Sequence, residues 1–147
     1  MVRHGPSFHQ MFAMTDIVLG GVLARFPRLR VVFLEAGIAW MPYWIERLDH
    51  AVDALGDQEN GAEPAIDRRP SDYLLGGNCY FSCEPDEPNL SVMVDWLGEN
   101  QVIFASDYPH FDCSFPNSVQ ELVKRSGLAE GALAKLIDTN PRRLYNL

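Results

Sequence analysis

The spacing of apolar positions changes along the chain, and the changes predict its elements. Over residues 10–25, Met11, Met14, Ile17, Val18, Val22 and Leu23 recur at three- and four-residue steps, which predicts an amphipathic helix. Gly20 and Gly21 weaken it locally, and Phe26-Pro27 stops it, because proline lacks an amide donor and disfavours helical geometry in the residue before it. Residues 29–34 (Leu-Arg-Val-Val-Phe-Leu) then read as a short, mostly apolar strand of the kind found in sheets covered on both faces. Glu35-Ala36-Gly37 closes that strand. A second helix is predicted from about residue 40 to 55, with Met41, Trp44, Ile45, Leu48, Val52 and Leu55 on one stripe. Glu46, Arg47, Asp49 and Asp53 lie largely opposite.

Residues 56–70 are polar and rich in Asp, Glu, Gly and Pro, and are expected to form an exposed loop rather than a domain linker. A short helical turn is expected over 73–77, followed by a second strand, Cys79-Tyr80-Phe81-Ser82-Cys83. A compact helix over 88–97 carries Leu90, Met93, Val94 and Leu97 on its apolar face, and a third strand covers 102–105. Pro116-Asn117-Ser118 opens a helix bearing Val119, Leu122 and Val123, which Ser126-Gly127 ends. A last helix carries Leu133, Leu136 and Ile137, and residues 140–147 follow as a tail. One helix, three strand-loop-helix repeats and a terminal helix imply an α/β fold with parallel strands and right-handed crossovers.

With 147 residues and 47% hydrophobic composition, the chain has the material for one ordinary domain core. Its formal net charge of -8, spread along the chain, disfavours a broad contact with phosphate backbones or anionic membranes. Neither a nucleic acid nor a membrane is expected as a partner. The sequence has no apolar run of about 18 residues, and its first residues show no apolar core like that of a secretory signal. Cys79, Cys83 and Cys113 are an odd set without a Cys-x-x-Cys pair. They are expected to be free thiols in a reducing, cytoplasmic compartment.

Each predicted strand ends in an acid: Glu35, Glu84 and Asp107. Parallel strands would place all three on one rim, the usual place for chemistry in a β/α fold. The alternative is that such acids cap the following helices, and for Glu84, before Pro85-Asp86-Glu87, capping is the favoured reading. Asp107 is crowded by Ser106, Tyr108, Pro109 and His110. Its carboxylate suits a divalent cation, with His110 as a partner of that ligand, a substrate contact or a general acid; a loop salt bridge or cap explains Asp107 equally well. His50 is expected to face solvent, and His4 and His9 are open cases. Cys113 reads as an accessible loop thiol. The sequence contains no G-x-S-x-G, GxxxxGK[ST] or G-x-G-x-x-G pattern, which removes the usual support for nucleophile-elbow hydrolases, P-loop nucleotidases and dinucleotide-binding enzymes.

Several stretches together resemble the amidohydrolase-related family, the branch of metal-dependent TIM-barrel enzymes that contains aminocarboxymuconate-semialdehyde and resorcylate-type decarboxylases. They are Gly20 through Gly37, Trp40-Met-Pro-Tyr-Trp-Ile-Glu-Arg-Leu-Asp49, Ala105-Ser-Asp-Tyr-Pro-His-Phe-Asp112, Phe115-Pro-Asn-Ser118 and Asn140-Pro-Arg-Arg-Leu-Tyr145. The resemblance implies a partial TIM (β/α)8 barrel, about its sixth to eighth β/α units plus a terminal helix. Residues 1–147 would then be the carboxyl-terminal part of the domain, lacking the first five strands. It implies that Asp107 is a metal ligand and catalytic, with zinc the first choice of metal and manganese or magnesium next. Glu35 falls where the decarboxylases carry a catalytic histidine after the sixth strand, and is the second catalytic candidate; His110 is the candidate substrate contact.

The family's His-x-His pair occurs nowhere in this sequence. The implied enzyme is a hydrolase or decarboxylase of a small carbonyl or carboxylate compound, and the chain alone is expected to be inactive. A non-catalytic remnant or assembly subunit is the alternative. An arc of three strands would leave two open edges and an uncovered inner face, so self-association or completion by the missing barrel half is expected.

Overall fold

A computed structural model describes residues 5–56, 65–111, 113–125 and 127–147. His4, Asp112, Ser126 and most of the predicted 56–70 loop lie outside the described residues. In chain order the elements are α1 (Gly5–Leu19), α2 (Val22–Arg25), β1 (Val31–Phe33), α3 (Met41–Gly56), α4 (Pro70–Leu74) and β2 (Cys79–Cys83). They are followed by α5 (Leu90–Leu97), β3 (Val102–Phe104), α6 (Ser118–Arg125), α7 (Glu130–Ala134), a π-helical turn (Lys135–Thr139) and α8 (Asn140–Tyr145). The chain divides into two compact units, one formed by residues up to Val31 with Trp40–Cys79, the other by Val32–Ala39 with Tyr80–Leu147.

In the first unit, the predicted 10–25 helix is two helices. It starts earlier, at Gly5, and breaks at Gly20-Gly21, where Gly21 takes a left-handed φ of 71°. A side chain on Gly21 would also place its Cβ 2.4 Å from the Ala65 carbonyl oxygen, so the break is fixed by close approach as well as by backbone freedom. Met14 and Val18 of α1 are buried, and the α3 stripe buries Met41, Ile45 and Leu48. His50 on α3 is exposed, as its polar neighbours predict. The helical turn expected over 73–77 lies earlier, as α4. Pro70 opens it, and Asp49 accepts a hydrogen bond from the Ser71 N–H at 2.9 Å. Trp44 Nε1 donates to the Met11 carbonyl at 3.1 Å, which ties α3 to α1.

The second unit is built around a sheet in the order β1-β2-β3. β2 and β3 are parallel, with Phe81 opposite Val102 and Cys83 opposite Phe104. β1 runs the same way: Val31 donates to the Asn78 carbonyl at its start, and Glu35 N–H donates to Ser82 Oγ past its end. The carboxyl ends of all three strands therefore lie along one edge. All five β2 positions are buried, on both alternating faces. The expected uncovered inner face is thus not found at the middle strand, where the Phe33 and Phe81 rings stack with centroids 5.8 Å apart. On the other face Tyr80 and Ile103 pack with Leu144 of α8, against Val32 and Leu34.

Two expectations at the carboxyl end need correction. Of the α6 stripe only Leu122 is buried, while Val119 and Val123 are exposed. Residues 140–145 are helix rather than tail, continuing from α7 through the π turn.

Candidate active site

Three post-strand loops form the edge that could carry chemistry, and the two catalytic candidates sit there with the same unusual backbone. Glu35, two residues after β1, has φ 60°, and Asp107, three residues after β3, has φ 56°. Among the described residues the other non-glycine left-handed positions are Asn89 and Asn146, a residue type that tolerates this region. For glutamate the conformation costs on the order of 1 kcal/mol and has to be imposed by its surroundings.

At Glu35 the imposing contacts are visible. Ser82 Oγ accepts the Glu35 N–H at 3.0 Å from the buried middle strand. Two residues on, Gly37 has φ 63°, and a Cβ there would lie 2.9 Å from Glu87 Oε1. That same oxygen accepts the N–H of Ile38 at 2.5 Å and of Ala39 at 2.6 Å. The other oxygen of Glu87 accepts the Glu84 N–H at 3.5 Å. Burial pushes the Glu87 carboxyl above the usual glutamate range, while the hydrogen bonds from Ile38, Ala39 and Glu84 pull it back down.

Because only glycine occupies the left-handed region freely, Glu35→Gly is expected to stabilise the chain by about 1 kcal/mol despite removing a carboxylate from the site. Urea denaturation of the two proteins side by side checks this; a lower midpoint for the variant would show that the Glu35 side chain repays its own strain.

Around Asp107 the loop is a tight turn, with the His110 N–H donating to the Asp107 carbonyl at 2.8 Å and the Tyr108 N–H reaching Ser106 Oγ at 3.4 Å. Tyr108 packs against Phe115, ring centroids 4.5 Å apart, and the Tyr108-Pro109 and Phe115-Pro116 peptides are both cis. Asp107 is half-buried and His110 exposed, so the turn offers the imidazole to solvent. Cys113 beyond it is half-buried.

His9 is an exposed residue of α1, in the other unit. Cys79 and Cys83 are buried thiols outside any disulfide, and burial pushes the pKa of each up to about 12, which suits packing rather than nucleophilic chemistry. Among the described residues no three His, Cys, Asp or Glu side chains converge as a metal site. The described donors therefore do not by themselves make up a complete metal shell.

Two residues of this edge escape a reading of local sequence. Ser82 left a trace as the one aliphatic hydroxyl in a run otherwise apolar or aromatic. Glu87 left none, because its partners are 48 and 49 residues away.

Residues 5–147 match the family model described as Amidohydrolase. The chain belongs to the amidohydrolase family. The chain is 32% identical over 97 residues to the 2-amino-3-carboxymuconate-6-semialdehyde decarboxylase of Dictyostelium discoideum, a match covering 66% of this chain and 26% of that protein. Its fold matches an amidohydrolase from Mycobacterium avium subsp. paratuberculosis with a TM-score of 0.78 at 21% identity, over 93% of this chain and 33% of that one. It also matches a 5-carboxyvanillate decarboxylase from Novosphingobium aromaticivorans, complexed with manganese and 4-hydroxy-3-methoxy-5-nitrobenzoic acid. There the TM-score is 0.69 at 20% identity, over 94% of this chain and 38% of the other. The chain thus spans between a quarter and two-fifths of these relatives, and its three parallel strands and their helices correspond to part of the amidohydrolase TIM-barrel fold. No described helix is long and apolar enough to cross a membrane.

Proposed function

We propose that this chain supplies the sixth to eighth β/α units of a metal-dependent amidohydrolase-type enzyme. That enzyme is a hydrolase or decarboxylase of a small carbonyl or carboxylate compound, and it works only when the remaining barrel units are present. The observation that carries this reading is the placing of two carboxylates, Glu35 and Asp107, after strands on one edge of a parallel sheet, with Glu35 in a left-handed backbone that glutamate seldom adopts, since strain of this kind is concentrated where function requires it. Asp107 would offer a carboxylate oxygen to a divalent cation, zinc first and manganese or magnesium next. A cation in such a site polarises a carbonyl or acidifies water. Glu35 would move a proton as acid or base, and exposed His110 would contact the substrate. The partners are a small-molecule substrate and either a second copy or the missing barrel half, in the cytoplasm.

A second reading is favoured by the lack of a three-donor cluster among the described residues: a non-catalytic remnant or assembly subunit that retains the fold segment. Metal analysis of the chain assembled with the remaining barrel units separates the two. Stoichiometric zinc or manganese, with affinity falling on the order of 100-fold in Asp107→Ala, supports the first. A wild-type assembly whose metal content is unchanged by Asp107→Ala, or that takes up neither metal, leaves the second.

A further inference from the structure

We propose that Glu87 is the positioning residue of the Glu35 loop, holding residues 35–39 through one carboxylate oxygen. The inference rests on reading Glu35 as a site residue, but its geometry is independent of what Glu35 does. A glutamate in a turn between a strand and a helix would normally keep its carboxylate in water. Here it is drawn into the protein, and burial raises its proton affinity, so the placement is opposed by desolvation and must be maintained by its contacts.

The contacts of Oε1 converge on the loop after β1. Oε1 accepts both the Ile38 and Ala39 amides, and Gly37 lies so close that a Cβ would approach within 2.9 Å. Oε2 faces the Glu84 amide of its own loop, and the Glu87 N–H closes the same turn on the Glu84 carbonyl at 3.4 Å. Glu87 therefore braces the loop after β2 and uses that brace to grip the loop after β1. Together with Ser82, which takes the Glu35 amide, it fixes the Glu35 backbone from both sides in the sequence. Asp86 is the acidic neighbour that opposes ionisation of Glu87, so a bare charge interaction does not explain the arrangement; an acceptor at the right reach does.

Reach and charge are separable by substitution. Glu87→Gln keeps the length and an acceptor oxygen while removing the charge, whereas Glu87→Asp keeps the charge and shortens the side chain by one methylene. Amide hydrogen exchange of the full 147-residue chain, followed residue by residue, reads the result. In Glu87→Asp, exchange at Ile38 and Ala39 is expected to speed up roughly tenfold, with the strand amides of Phe81 and Ile103 unchanged. In Glu87→Gln both loop amides should stay within about threefold of wild type.

The opposite pattern, with Gln releasing the loop and Asp holding it, would overturn the proposal in favour of a charge effect. Uniform acceleration across loop and strands in both variants would overturn it in favour of a general packing role. The role of Glu35 fails on a different result: unchanged turnover of the Glu35→Gln variant in the assembled enzyme, which leaves the exchange pattern of the loop as it is.

Discussion

Phe81→Ala is expected to lower the unfolding free energy by about 3–5 kcal/mol, the range for truncating a fully buried aromatic side chain. Phe81 is 1% exposed at the centre of β2, the strand with a neighbour on each side. Its ring stacks on Phe33 of β1 with an interplanar angle of 13°, and its amide donates to the Gln101 carbonyl at 2.9 Å, just ahead of β3. Truncation removes the apolar surface and leaves a cavity between positions that the backbone hydrogen bonds hold in place, so little of the loss is recovered by collapse. The effect bears on function because β1 leads to Glu35 and β3 leads to Asp107, and β2 is the only strand joining them in this sheet. Urea denaturation at fixed pH measures it, with the midpoint shifting at unchanged slope. Phe81→Leu, which keeps most of the apolar volume, should lose about 1 kcal/mol. Equal losses from the two variants would mean that the ring's volume is not what the core uses.

How far the sequence could be read depended on whether the deciding interactions were local. β2 runs over the predicted residues, Cys79–Cys83, because all five are buried and the run is bounded by Asn78 and Glu84. β1 and β3 are each shorter than the apolar runs that announced them, since ladder pairing ends before side-chain polarity changes. The parallel order was legible from the alternation of strands with helices, and the placement of Glu35 and Asp107 at strand ends followed from it. Their left-handed backbone was not legible, because neither residue type demands it.

The α6 stripe misled because periodicity marks a face without saying how much of it finds cover; Leu122 does, and Val119 and Val123 do not. The carboxyl end misled for a different reason. Residues 140–147 read as a tail, yet the π turn before them sends the Asn140 N–H five residues back to the Lys135 carbonyl, and Pro141 sits in the first turn of α8, where a missing donor is tolerated. Glu87 lay beyond any local reading, since it is defined by partners on another loop.

Asn140→Ala is expected to cost about 2–4 kcal/mol while leaving the chemistry of the edge alone. Asn140 is 2% exposed, and its side-chain amide nitrogen donates to two backbone carbonyls, Glu99 at 2.7 Å and Val102 at 2.7 Å. Alanine deprives both carbonyls of this donor, at Val102 in a buried contact and at Glu99 in a partly buried one, and an unsatisfied buried acceptor costs about 1–3 kcal/mol. The neighbouring ion pair between Lys135 and Glu99, 2.8 Å long but partly exposed, offsets little of this. Asn140→Asp should be at least as damaging, because it points a carboxylate at two carbonyl oxygens and supplies no donor. These contacts lie at the start of β3, and Asp107 lies beyond its end. The variant should therefore unfold at lower urea but, below that midpoint, keep wild-type exchange at Ile38 and Ala39. Loss of protection in that loop before global unfolding would mean that the carboxyl-terminal helix supports the Glu35 edge directly, and that the Asn-Pro-Arg-Arg-Leu-Tyr segment is more than an anchor for the last strand.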